Sequence, residues 1–161
     1  MKNKLFDNEL TKMLGIEFPI IVAPMFLVSN AKMLIEAGNS GVTGCVPALN
    51  YRTIKEFENA IKEVKKNSRG PMGVNLIVNK FNTKMTNQLQ ACIDLKVDYI
   101  ITSLGNPSFV INSCKPHGIK VLCDVVDLKY AKKVESLGAD GIIAVNNKAG
   151  GHLGPMSPED L

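Results

Sequence analysis

The chain has 161 residues, 45% hydrophobic and 21% charged, with a net charge of +4. That balance belongs to a globular protein and argues against disorder, and the length suffices for one domain with a sizeable core. The lysines, such as Lys55, Lys62, Lys65 and Lys66, are scattered along helix-like stretches, without long like-charge blocks or interleaved aromatics. Solvated helix faces are therefore expected, and no nucleic-acid surface.

The first fourteen residues mix both charge signs and lack the apolar centre of a signal peptide. The longest apolar run, 18–28, contains Pro19 and Pro24 and is too short to cross a bilayer. Cys45, Cys92, Cys114 and Cys123 form no C-x-x-C pair, and three of them sit inside apolar runs. They read as reduced, buried thiols rather than a zinc site or a disulfide frame. A cytoplasmic protein without a membrane partner is the expectation.

From there one pattern recurs: a short Val- and Ile-rich run, a turn, then an amphipathic stretch. The apolar runs are 20–23, 41–46, 73–78, 98–102, 120–125 and 141–145. Near-continuous apolar runs suit parallel strands covered on both faces. Ser29-Asn30 opens one helical stretch, for which Gly38 is a plausible stop. Thr53 opens another, with Ile54, Phe57, Ile61 and Val64 on one face, and Asp127 opens a third that ends on glycine. The spacing matches a strand-plus-crossover-helix unit, and no linker divides the chain. One α/β domain is predicted over 1–161.

Periodicity leaves a doubly wound sheet and a β/α barrel open. The first strand runs into Ala23-Pro24-Met25-Phe26, without the G-x-G-x-x-G that a dinucleotide-binding sheet should show, and six strands exceed the flavodoxin-like number. The barrel is preferred. A complete barrel typically needs about 250 residues, and Ser157-Pro158 announces a helix four residues before the last one. The expectation is a barrel truncated at the start of its sixth helix, holding only the first six β/α units.

In a barrel, chemistry sits after the carboxyl ends of the strands. Gly150-Gly151 after the sixth run would let backbone take positive φ and approach a ligand. His152 follows them, and an imidazole is a side chain that can take a proton from a weak carbon acid; a simple turn with a surface histidine reads the same residues without function. His117 falls on the opposite face and is a loop residue. Asp124 within VLCDVV is either a site residue or a structural acid. Asn75 within MGVNLIV must find partners in the protein or in a ligand.

The blocks FPIIVAPM, MGVNLIV, TSLGNP, GIKVLCDVVDLKYAKKVESLGADGIIAV and AGGHLG, taken in order, resemble the nitronate monooxygenase family, formerly the 2-nitropropane dioxygenases. The same blocks occur in flavin-dependent enoyl-acyl-carrier-protein reductases. The resemblance spans roughly residues 14–154 and implies a TIM (β/α)8 barrel carrying FMN. It implies that Ala23 and Met25 line the flavin through their backbone. It further implies that Asn75 hydrogen-bonds the flavin, that Gly150 contacts it beside Gly151, and that His152 is the catalytic base. A small-molecule nitroalkane or nitronate and oxygen are the implied substrates, enoyl reduction with NAD(P)H the alternative. An inactive fragment awaiting its missing half is a third reading, with self-association through the open barrel edges. The chain departs from the family at Val145-Asn146, where Gln-Gly or Glu-Gly is usual, and at Lys148, where Glu is frequent.

Overall fold

A computed structural model describes residues 6–161. In chain order the elements are α1 (Glu9–Leu14), β1 (Ile21–Val22), α2 (Ala31–Asn39), β2 (Thr43–Pro47), α3 (Ile54–Asn67), β3 (Met72–Ile77) and α4 (Met85–Asp94). Then come β4 (Tyr99–Ser103), α5 (Ser108–Cys114), β5 (Lys120–Val125), α6 (Leu128–Ser136) and β6 (Gly141–Ala144), with short 3-10 turns at Ala48–Asn50 and Lys115–His117. All five strand pairings are parallel and run in unbroken order from β1 to β6. A doubly wound sheet reverses its order at a switch point; this one does not. The six strands curl as the first six β/α units of a TIM barrel.

The helix starts are chemically specified. Asn30 accepts a hydrogen bond from the Met33 N–H, Thr53 and Glu56 make a reciprocal capping box, and Asp127 caps through the Tyr130 N–H. Gly138, at φ 87°, follows the end of α6 in the left-handed region. Two features differ from the sequence reading. Gly38 does not stop α2, which continues to Asn39 and closes where the Ser40 N–H meets the Glu36 and Ala37 carbonyls. Its small size serves packing: a Cβ on Gly70 would stand 2.7 Å from both Cα and O of Gly38. The second is α1, a six-residue helix closed by a reciprocal Asn8–Thr11 box and by Gly15 at φ 69°.

Strand residues alternate between two cores. Val46, Met72, Val74, Leu76, Ile100, Val121, Cys123 and Val125 face the helices, where they meet Leu34, Phe57, Ile61 and Val64. The other face turns inward: Cys45, Tyr99, Ile101 and Leu122 pack on Leu14 and Ile16, at and just beyond the end of α1. Deep in this inner face Gly73 leaves the space that the Tyr99 ring fills, and the Tyr99 hydroxyl lies 3.3 Å from Thr43 Oγ1. Two residues beyond Gly73, Ile101 and Leu122 along their strands, on the same inner face, stand Asn75, Ser103 and Asp124. No helix among the described residues is long and apolar enough to cross a membrane.

The Gly38–Gly70 contact leaves no room for a methyl group between backbones that cannot swing aside. Gly70→Ala is expected to destabilise the chain by about 1–3 kcal/mol through overpacking. Urea unfolding checks this, and an unchanged midpoint would mean the α2–β3 connection yields freely.

Candidate active site at the carboxyl ends of the strands

Three strands build the polar floor of the site. Asn75 on β3 is only 8% exposed. Its side-chain Nδ2 donates to the Ile101 carbonyl at 3.1 Å and to Ser103 Oγ at 2.8 Å. Ser103, at the end of β4, donates in turn to Asp124 Oδ2 on β5 at 2.5 Å. Register makes this possible: Asn75 pairs with Ile101, Ile77 with Ser103, and Thr102 with Cys123, so consecutive strands bring the three side chains side by side. A site role and a structural role are both compatible with the geometry of Asp124: the only protein hydrogen bond of its carboxylate among the described residues runs to Ser103.

The wall after β1 is self-contained. Ser29 Oγ accepts from the Met25 N–H at 2.9 Å and donates to the Ala23 carbonyl at 3.2 Å. Asn50, following β2, accepts from the Leu27 N–H at 2.9 Å and donates to the carbonyls of Ser29 and Met25 at 2.8 and 3.3 Å. The backbone N–H of Met25 is therefore engaged, and its side chain, 37% exposed, is the part that faces outward. Leu27 and Leu104, in the loops after β1 and β4, hold φ of 58°, a conformation that bulky residues rarely adopt.

His152 rides on the loop after β6. That loop closes on itself: the Gly154 N–H meets the Asn146 carbonyl at 3.0 Å and the Asn147 N–H meets the Met156 carbonyl at 2.8 Å. Gly154 is obligatory, since a Cβ there would collide with the Val145 carbonyl. Gly150 and Gly151 differ from the sequence reading, because neither lies in the left-handed region. The turn does not need their conformational freedom. What they leave is open space, with nothing within 4 Å of a Cβ at either position. His152 itself is exposed, and among the described residues no hydrogen bond ties its ring to Asn75, Ala23 or Met25.

Burial pushes the Asp124 carboxyl above its ordinary value, while the Ser103 hydroxyl and the charge of His152 pull it back. That last influence brings His152 into the field of the polar floor. Cys45, Cys92, Cys114 and Cys123 are all free and buried. Burial raises each thiol, which removes them as nucleophiles. His117 lies before β5, away from the strand ends, as the barrel reading requires. The sequence alone gives Ser103, Asn50 and Gly154 no role. For Ser103 a signal exists in retrospect, a polar residue in register with Asn75 and Asp124 on the inward face.

The fold and this strand-end arrangement are those of the first six β/α units of a TIM barrel. The sequence model described as nitronate monooxygenase matches residues 7–161, and the chain belongs to that family. It is 28% identical over 148 residues to a (3aS,4S,5R,7aS)-5-hydroxy-7a-methyl-1-oxo-octahydro-1H-indene-4-carboxyl-CoA dehydrogenase of Rhodococcus jostii, covering 92% of this chain and 41% of that protein. It is 26% identical over 183 residues to a probable nitronate monooxygenase of Staphylococcus haemolyticus, covering 92% and 51%. The structure of FabK from Thermotoga maritima superposes with a TM-score of 0.87 at 28% identity, over 94% of this chain and 48% of that one. The chain thus spans about half the length of the relatives it matches.

Because Asp124 binds its proton more tightly in the folded state, its contribution to stability is present in acid. That contribution is lost as pH rises from the ordinary carboxylate range through the raised folded value. Asp124→Asn carries no such titration. Its stability relative to the unchanged chain is therefore expected to improve as pH rises from the ordinary carboxylate range through the raised folded value. Urea melts at stepped pH check this; a pH-independent difference would show that Asp124 titrates like an exposed acid.

Proposed function

We propose that the site binds FMN and oxidises small carbon acids, nitronates and nitroalkanes foremost, with molecular oxygen as the final acceptor. The observation that carries this reading is an exposed histidine, His152, on the same strand-end face as a half-buried, internally hydrogen-bonded floor. The donor set suits a flavin. Asn75 keeps an acceptor, Oδ1, that no described residue fills. Gly150 and Gly151 leave room for a flat ring, and Met25 offers an apolar edge beside Ala23. Val145 brings no hydrogen bond where the family's Gln or Glu would, so ring orientation falls more heavily on Asn75. Bound FMN supplies an electron acceptor that oxygen can reoxidise.

The chain's own work is acid–base and positional. His152 takes the proton from the carbon bearing the nitro group, leaving the nitronate anion; the resulting imidazolium stabilises that charge nearby. Asn75 orients the ring, and the apolar inner core beneath the floor keeps water from entering below. Enoyl reduction is a second reading, favoured by the likeness to FabK. Anaerobic reduction by NADH, compared with reduction by a nitronate, separates the two.

In the full-length protein His152→Ala should leave FMN bound. It should lower turnover of neutral nitroalkane by about a hundred- to ten-thousand-fold, the usual effect of losing a base, while sparing pre-formed nitronate, which has no proton to lose. Equal losses on both substrates would remove His152 as the base.

Residues 1–161 alone are expected to bind FMN weakly or not at all, because in this fold the phosphate is gripped by loops after strands 7 and 8. Strands β1 and β6 each have a single neighbour, and Ile142 on β6 is 45% exposed. Such unpaired edges recruit other strands, so association with rising concentration is expected. A visible spectrum recorded with a sedimentation run checks both points; a yellow, fully loaded monomer contradicts them.

A further inference from the structure

The polar floor has a direction. The Ile101 carbonyl can only accept, and so can an ionised carboxylate, whereas a serine hydroxyl can face either way with its one hydrogen. Ser103 gives that hydrogen to Asp124 Oδ2. It can then only accept from Asn75, and it does so from Nδ2. The second amide hydrogen goes to the Ile101 carbonyl. Both donors of Asn75 are spent on the sheet, and Oδ1 is what remains.

We propose that Asp124 is a positioning residue: acting through Ser103, it holds the Asn75 carboxamide with its oxygen free, so that the site receives its ligand through an N–H or O–H donor on that ligand. Without Asp124 the Ser103 hydroxyl is free to turn and donate to Asn75 Oδ1 itself, competing with the ligand for the same acceptor. The relay concerns only this chain; identifying the ligand's donor as the imide N–H of a flavin ring rests on the function proposed above.

Two measurements on the full-length protein test it. With 15N labelling, the side-chain amide signals of Asn75 should be protected from exchange in the unchanged protein. Asp124→Ala and Ser103→Ala should each shift them and reduce that protection. Signals unmoved by either substitution would overturn the relay. Ser103→Ala removes one atom from a half-buried side chain, so it keeps the test decisive if Asp124→Ala fails to fold. In the second measurement, FMN titration, Asp124→Ala should weaken binding about tenfold, the scale of one hydrogen bond. It should have no further effect once Ser103 is alanine. Losses that add would mean that Asp124 acts on the ligand by its own charge, and the relay would fail. A protein whose Asn75 signals respond as expected, yet which takes up no FMN, would support the relay and sink the flavin reading instead.

Discussion

On the inner face of a curled parallel sheet, a polar side chain has no bulk water to turn to, and leaving it unpaired is costly. The hydrogen bonds joining Asn75, Ser103 and Asp124 meet that constraint across three strands at once. They do so immediately above an inner layer built on the side chains of Cys45, Tyr99, Ile101 and Leu122. The boundary between the two layers divides the molecule into a part that holds the strands together and a part that is available for chemistry. Shifting any of the three strands by one residue would send its polar group into the helix-facing core. The strand register and the site are therefore specified by the same alternation.

The outer core imposes a different kind of order. Leu34, Phe57, Ile61 and Val64 fill the space between helices and sheet, and the caps at Asn30, Thr53 and Asp127 fix where three of those helices begin. Leu34, Phe57, Ile61 and Val64 lie on the helix-facing side of the sheet, and together with the caps they hold the strand ends from which the exposed loop 146–154 projects.

Much of this was readable from the chain. Six apolar runs became six strands, with ends displaced by a residue or two, because continuous Val and Ile runs have few alternatives in a parallel sheet. The three caps were readable because capping is local. Helix α1 was not: six residues of mixed polarity carry too short a period, and the Asn8–Thr11 box is recognisable only once the helix exists. Gly150 and Gly151 do not adopt the positive φ expected of them, because the turn closes through hydrogen bonds of the residues around them instead. The Ser103–Asp124 bond links residues 21 apart, and only the register of β4 against β5 brings them together. Asn75 and Asp124 stood out as polar residues within apolar runs, but their shared partner was hidden.

Asn50 draws a further line through the molecule. By bonding three backbone groups of the loop after β1 from its own place after β2, it ties together two loops that a barrel ordinarily lets vary one at a time. Lengthening the loop after β1, or exchanging it for one of another shape, would strand the carboxamide of Asn50 and loosen the turn that carries it. Those two loops can therefore be exchanged only as a pair, whereas the loop that carries His152 closes through its own backbone hydrogen bonds.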